Sequence, residues 1–284
     1  MKRIIGALVF GALFLAEIVL LKRYDVAAIG PAGTEVGFSH LNQRVHDMTG
    51  VNMLWYNITD YIGYGAIAIC LVFAVVGLVQ LIQRRSLLKV DKEILALGGL
   101  FAVTIGFYVL FEKVVINCRP ILMEGETTPE PSFPSSHTVL ITVVMIALMM
   151  IIENYTGDLL TGLIKALCVA VTVVTVGGRL YCGAHWFTDI IGGLLLSTAL
   201  LFVFAAIVFG GDDAAVPAGS GTAEFSVAGA DRSGGSFGSA SGRGSVSSEG
   251  KSDSASGRES SGRSGKKADK KTGGKSTAGY RPKH

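Results

Sequence analysis

Six stretches of the chain run for 16 to 23 residues with almost no charge: 4–21, 61–82, 94–111, 137–152, 159–177 and 187–209. An α-helix rises 1.5 Å per residue, so about 20 apolar residues cross a hydrocarbon layer of about 30 Å. Inside that layer a helix satisfies its own backbone polar groups, which an open segment cannot do. The pattern therefore predicts an all-α fold, a polytopic membrane bundle of six transmembrane helices. The first run follows Met1-Lys2-Arg3, and no small-x-small cleavage pattern precedes Lys22-Arg23, so it reads as a retained span rather than a signal peptide. Glu17, near its outer end, can reach the headgroups and receives no function.

The polar stretches divide the chain further. Residues 22–60 hold a turn signal, Gly30-Pro31-Ala32-Gly33, then apolar residues at helical spacing from Ser39 to Trp55. This predicts an amphipathic helix on the membrane surface, anchored by Trp55 and Tyr56 and placed to cap a site. His40 and His46 in it read as surface residues rather than ligands. Asn57-Ile58-Thr59 is a glycosylation sequon, relevant where secreted loops are glycosylated. Residues 1–60 thus form the first transmembrane helix and an extracytoplasmic amphipathic loop, and 61–209 the membrane core. Gly98-Gly99 and Gly192-Gly193 are expected to let helices approach closely. Residues 210–284 are Gly/Ser-rich with scattered Lys and Arg and predict a disordered cytoplasmic tail. Lys266, Lys267, Lys270 and Lys271 are a candidate contact for an anionic membrane surface, with a solvated linker as the plainer reading. Acidic residues interspersed among them argue against nucleic acid as a partner.

Charge adds an orientation. The net charge of +3 is modest, but Lys2, Arg3, Arg84, Arg85, Lys89, Lys92 and the basic tail all fall on one side of a six-span bundle. By the positive-inside rule that side is cytoplasmic, with both termini, in the plasma membrane. Lys22, Arg23 and Arg44 run against the rule. Cys70 and Cys168 lie in apolar runs and read as packing residues. Cys118 and Cys182 fall on the outer side, where a disulfide is one alternative and two unpaired thiols the other.

Three polar clusters interrupt the apolar core, and all fall on the outer side. They are Lys113 to Pro120 (KVVINCRP), Pro134 to His137 (PSSH) and Gly178 to Asp189 (GRLYCGAHWFTD). A phosphoryl group carries charge on its non-bridging oxygens, which Arg119 and Arg179 can match in bidentate fashion and Lys113 as a point charge. His185 and Asp189 share one face of a helix start, so the carboxylate can hold the ring while the other nitrogen attacks. His137 can protonate a leaving oxygen. Ser135, Ser136 and the amides of the following helix start suit an anion. No Cys/His/Asp/Glu set has metal-ligand spacing, so no cofactor and metal-independent chemistry are expected.

At these residues the chain resembles the type 2 phosphatidic acid phosphatase, or lipid phosphate phosphatase, superfamily, as an integral membrane member of the bacterial type. Its motifs read K-x6-R-P, P-S-G-H and S-R-x5-H-x3-D. The third matches with Gly178 for the leading Ser, and the second with Ser136 for Gly. The first departs: five residues separate Lys113 from Arg119, and Glu112 stands seven before the arginine. The resemblance covers residues 60 to 209. It implies His185 as nucleophile, Asp189 as its orienting partner and His137 as general acid. Arg119, Ser135, Ser136, Arg179 and Lys113 are implied as phosphate ligands. Two arrangements reconcile Glu112 with an anion site. Either the helix ends early and residues 114–118 unwind, letting Lys113 reach in, or Glu112 pairs with a cation such as Arg119. Pro120 favours the first.

The expected function is hydrolysis of a lipid phosphate or diphosphate through a phosphohistidine intermediate. Phosphatidate, phosphatidylglycerol phosphate and undecaprenyl diphosphate are the substrate candidates the resemblance implies, and membrane lipids the surroundings. A phosphotransferase using the same site, and a catalytically inactive lipid-phosphate-binding membrane protein, are the alternatives.

Overall fold

The computed structural model describes residues 1–123 and 125–210; the expectations for the tail lie outside the described residues. Within them seven α-helices follow in order: α1 (Lys2–Leu21), α2 (Ser39–Thr49), α3 (Met53–Arg84), α4 (Lys92–Lys113), α5 (Ser136–Ile151), α6 (Asp158–Tyr181) and α7 (Phe187–Phe209). All but α2 are long and apolar enough to cross a membrane. Among the described residues β-pairing is confined to two isolated bridges, Ala27 with Val36 and Cys118 with Pro131.

The helix boundaries follow from caps. Asn52 accepts a hydrogen bond from the Trp55 amide at 3.2 Å and so starts α3 eight residues before the expected span. At the far end Arg85 turns left-handed (φ 53°) and bonds back to the Leu81 carbonyl. One expectation is corrected here. The amphipathic segment is two elements, because Gly50 (φ 67°, ψ −156°) ends α2 and Trp55 and Tyr56 belong to the first turns of α3. Nor does α2 merely lie on the surface. Its Asn42 is fully buried and donates to Thr188 Oγ1 at 3.0 Å while accepting from the Thr188 amide, which ties α2 to the start of α7.

The buried centre is formed by α5 and α7, while α1, α3 and α6 turn Leu, Val and Ile side chains outward to a lipid phase. Phe14, Phe111 and Phe133 meet at centroid distances of 5.8 to 6.0 Å and join α1, α4 and the loop before α5. Phe10 of α1 stacks on Phe202 of α7 at 5.7 Å. Of the two glycine pairs, Gly192-Gly193 does admit close neighbours, since added Cβ atoms would strike Phe133 and Thr138. Gly98-Gly99 does not: a Cβ on either would meet nothing within 4 Å.

The helices alternate in direction, which sorts the polar residues between two ends. At one end Arg3 donates to the Phe209 carbonyl at 2.6 Å, Lys92 to Val208 at 3.1 Å, and Lys165 pairs with Glu153 at 3.0 Å. At the other end Lys22 donates to the Val115 and Ile116 carbonyls beyond α4, and the Ser135 amide bonds to the Asp189 carbonyl. The three polar clusters gather at this second end.

Candidate active site

The third cluster straddles the turn from α6 to α7. Gly183 there has φ 71°, and a Cβ on it would strike the Gly50 carbonyl, so the turn requires glycine. His185 follows and is buried. Its Nδ1 lies 3.1 Å from the Ser132 carbonyl and 3.7 Å from Asp189 Oδ2. A carbonyl accepts only, so Nδ1 carries the proton and Nε2 presents its lone pair. Nε2 is buried, has no hydrogen-bond partner, and the residue lines a cavity. Burial pushes the His185 pKa below its ordinary value; Arg119 and Arg179 act in the same direction, against the pull of Asp189. The closer orienting partner is thus the Ser132 carbonyl. Asp189 is itself held, by the Trp186 amide at 2.9 Å and Asn117 Nδ2 at 3.2 Å, and it fixes the first turn of α7.

Arg179 sits one turn from the end of α6 and is 1% exposed. Its Nη2 forms an ion pair with Asp60 Oδ1, and its guanidinium lies 4.7 Å from the centre of the Tyr56 ring. Nε and Nη1 are buried without a hydrogen-bond partner. The neighbouring Gly178 accounts for one departure from the family pattern. A Cβ there would be 2.7 Å from Thr59 Cγ2 and 3.0 Å from the Trp55 ring, so the approach of α3 leaves no room for the usual serine.

In the first cluster α4 ends at Lys113, and residues 114–118 are non-helical, the early ending that Pro120 favours. Arg119 is carried by a short antiparallel pairing with the loop before α5. Its amide donates to the Glu130 carbonyl at 2.9 Å, and its Nε lies 2.9 Å from Glu130 Oε2. The expected consequence for Lys113 does not follow. Lys113 is exposed and does not line the cavity, whereas Glu112 does. Stopping at Lys113 keeps the last turn of α4 in helical register, so the lysine stays on the outward face. Glu112 is not the partner of Arg119; Glu130 is.

The second cluster begins α5. Ser135 is fully buried and its oxygen accepts from Thr138 Oγ1 at 3.1 Å and the Thr138 amide at 3.5 Å, so it caps the helix and does not line the cavity. Ser136 and His137 do line it. His137 Nε2 lies 3.1 Å from Asp60 Oδ1.

These groups surround one end of a cavity of about 570 Å³ bounded by α3, α4 and α5. Arg119, Ser136, His137 and His185 line that end, with Asp60 and Glu112 beside them; Ile67, Leu71, Phe101 and Ile105 line the rest. Arg179 is not on the wall but reaches it through Asp60. Buried guanidinium N–H groups without partners, beside an unpartnered imidazole nitrogen, suit an anion that accepts from the arginines and is attacked by the histidine. Among the described residues no group of three or more His, Cys, Asp or Glu side chains is placed to hold a metal ion. All four cysteines are free thiols.

Residues 93–211, from the start of α4 onward, match the sequence model of the PAP2 superfamily. That segment is what the chain shares with the PAP2 superfamily. The chain is an integral membrane protein, with six helices among the described residues long and apolar enough to cross a membrane. Its fold is similar to the crystal structure of a transmembrane PAP2 type phosphatidylglycerolphosphate phosphatase from Bacillus subtilis. The TM-score is 0.51 at 15% identity, over 74% of this chain and 97% of that one. No curated protein matches the chain at a significant level.

Asp60, Asn117 and the Ser132 carbonyl are site residues that the motifs did not name. For Asp60 the signal was spacing: Tyr56, Asp60 and Gly63 lie on one helical face, visible once α3 is known to begin before them.

Proposed function

We propose that this protein is an integral membrane phosphatase that hydrolyses a lipid phosphate or diphosphate without a metal, from the outer face of the plasma membrane. The observation that carries the reading is the divided wall of the cavity, with histidines and an arginine at one end and an apolar lining between α3 and α4 along the rest. A ligand filling it has a phosphate and a hydrocarbon chain. In the first step His185 Nε2 attacks phosphorus, an N–P bond forms, the P–O bond to the lipid breaks, and His137 gives a proton to the leaving oxygen. In the second step water attacks phosphorus, the N–P bond breaks, and the water proton passes to His137. Arg119 and Arg179 bear the charge that builds on the non-bridging oxygens.

Phosphate release by the purified full chain, measured in detergent with chelator present, tests this against phosphatidate, phosphatidylglycerol phosphate and undecaprenyl diphosphate. Release from at least one is expected; activity that disappears with EDTA and returns with a divalent ion would refute the metal-free step. Glu112 on the cavity wall is the observation that favours the second reading, a phosphate binder without turnover. Trapping decides between the two. His137→Ala is expected to accumulate an acid-labile phosphoenzyme from a substrate with a good leaving group, and His185→Ala to form none. A phosphoenzyme in His185→Ala would reassign the nucleophile.

A further inference from the structure

The PAP2 match begins at residue 93, yet α3 also reaches into the site. Three of its residues lie on one face. Tyr56 places its ring under the Arg179 guanidinium. Asp60 places one oxygen, Oδ1, against both Arg179 Nη2 and His137 Nε2. Gly63 lets His137 come close, since a Cβ there would lie 3.0 Å from Cδ2 and 3.2 Å from Nε2 of the ring. Arg179 and His137 stand on different helices, α6 and α5, and this carboxylate is what joins them.

We propose that Asp60 is a positioning residue of the site, a single carboxylate that holds the phosphate-binding Arg179 and the proton-donating His137 in a fixed relation to each other. The inference rests on the phosphatase reading above. On the arginine, Asp60 takes one N–H and leaves Nε and Nη1, the two buried nitrogens without partners, for the substrate. On the histidine it occupies Nε2 and so leaves Nδ1 for the leaving oxygen. The site then has two carboxylate-imidazole pairs with opposite duties. Asp189 and the Ser132 carbonyl leave His185 Nε2 free to attack, and Asp60 leaves His137 Nδ1 free to transfer a proton.

The test uses Asp60→Asn, which keeps size and shape, with Asp60→Ala and Asp60→Glu beside it, each checked for an unchanged melting curve in detergent. Turnover is compared on a lipid phosphate, whose alkoxide needs a proton to leave, and on p-nitrophenyl phosphate, whose phenolate does not. Asp60→Asn is expected to lower lipid phosphate turnover about 100-fold and p-nitrophenyl phosphate turnover by less than about tenfold. Vanadate protection against thermal unfolding is expected to weaken about tenfold, with partial recovery in Asp60→Glu. An equal loss on both substrates with vanadate binding unchanged would mean that Asp60 only supports the fold, and would overturn the proposal. So would tighter vanadate binding in Asp60→Asn, which would mark the carboxylate as a competitor of the phosphate. Vanadate binding needs no turnover, so it decides the role of Asp60 even where no lipid substrate is cleaved. Failure of the wild-type chain to bind vanadate at all would instead remove the phosphate-site reading itself.

Discussion

In the proposed reaction Arg179 and Arg119 serve one anion from very different supports. Arg179 stands inside a helix, 1% exposed, between a tyrosine ring and a carboxylate on a neighbouring helix. Arg119 stands on a non-helical segment with its side chain 17% exposed, and its partner Glu130 is 39% exposed. The first guanidinium has little freedom to lose and stands where water screens it poorly; the second is freer to move and is screened by more solvent. One end of the site is built for placement and the other for adaptation.

The largest expected effect tests that contrast directly. Arg179→Ala should lower kcat/KM by about 10²- to 10³-fold, the range seen when a fixed transition-state donor is removed, and it also leaves Asp60 without its cation. Arg119→Ala should cost about tenfold, mostly in KM, as expected for a donor that is partly solvated. Equal losses measured by steady-state kinetics would erase the distinction. Next is Gly178→Ser, which restores the usual family residue. The added atoms meet Thr59 and Trp55, so the variant should lose about 1–3 kcal/mol of stability by overpacking, read as a lower melting temperature in detergent. A variant as stable as the parent would show that α3 is not held tightly against α6.

The six spans were legible because length and the absence of charge suffice to define them, and the order of the three clusters was legible because their spacing is local. What stayed hidden depends on which helix faces which. Asp60 was one acid in a polar stretch beside a sequon until Asn52 started α3 early and turned it toward Arg179. Lys113 looked usable because an early end to α4 was expected to free its side chain, whereas the helix that does end there still holds the lysine exposed on its last turn. The pairs Gly98-Gly99 and Gly192-Gly193 read alike as sequence, and only the packing separates them.

A subtler measurement concerns the acid side of the pH profile. Burial lowers the His185 pKa, so the neutral nucleophile persists below the ordinary histidine value of about 6.5. The acid limb of kcat/KM set by this group should therefore fall below that pH. Arg119 is one of the cations that lower it, so Arg119→Ala should move the limb upward. A downward movement would place the controlling proton elsewhere. The smallest effects belong to the last turn of α4. Lys113→Ala should leave kcat/KM within about twofold, as for most exposed charges, and Glu112→Gln should be tolerated or mildly helpful because it removes a like charge from the cavity wall. A large loss in Lys113→Ala would bring that lysine back into the site.

The stacking of Phe10 on Phe202 and the bond from Arg3 to Phe209 join parts of the chain about 200 positions apart, and the second spans 206. Of the helices described, α1 is made first and α7 last. Until α7 arrives, α1 can meet Phe111 and Phe133 through Phe14 but not Phe202, and Asp189 has not yet reached Asn117. Closure of the bundle against α7 and completion of the candidate site therefore wait on the same helix. A chain without α7 lacks Asp189 and the helix that Phe10 stacks against.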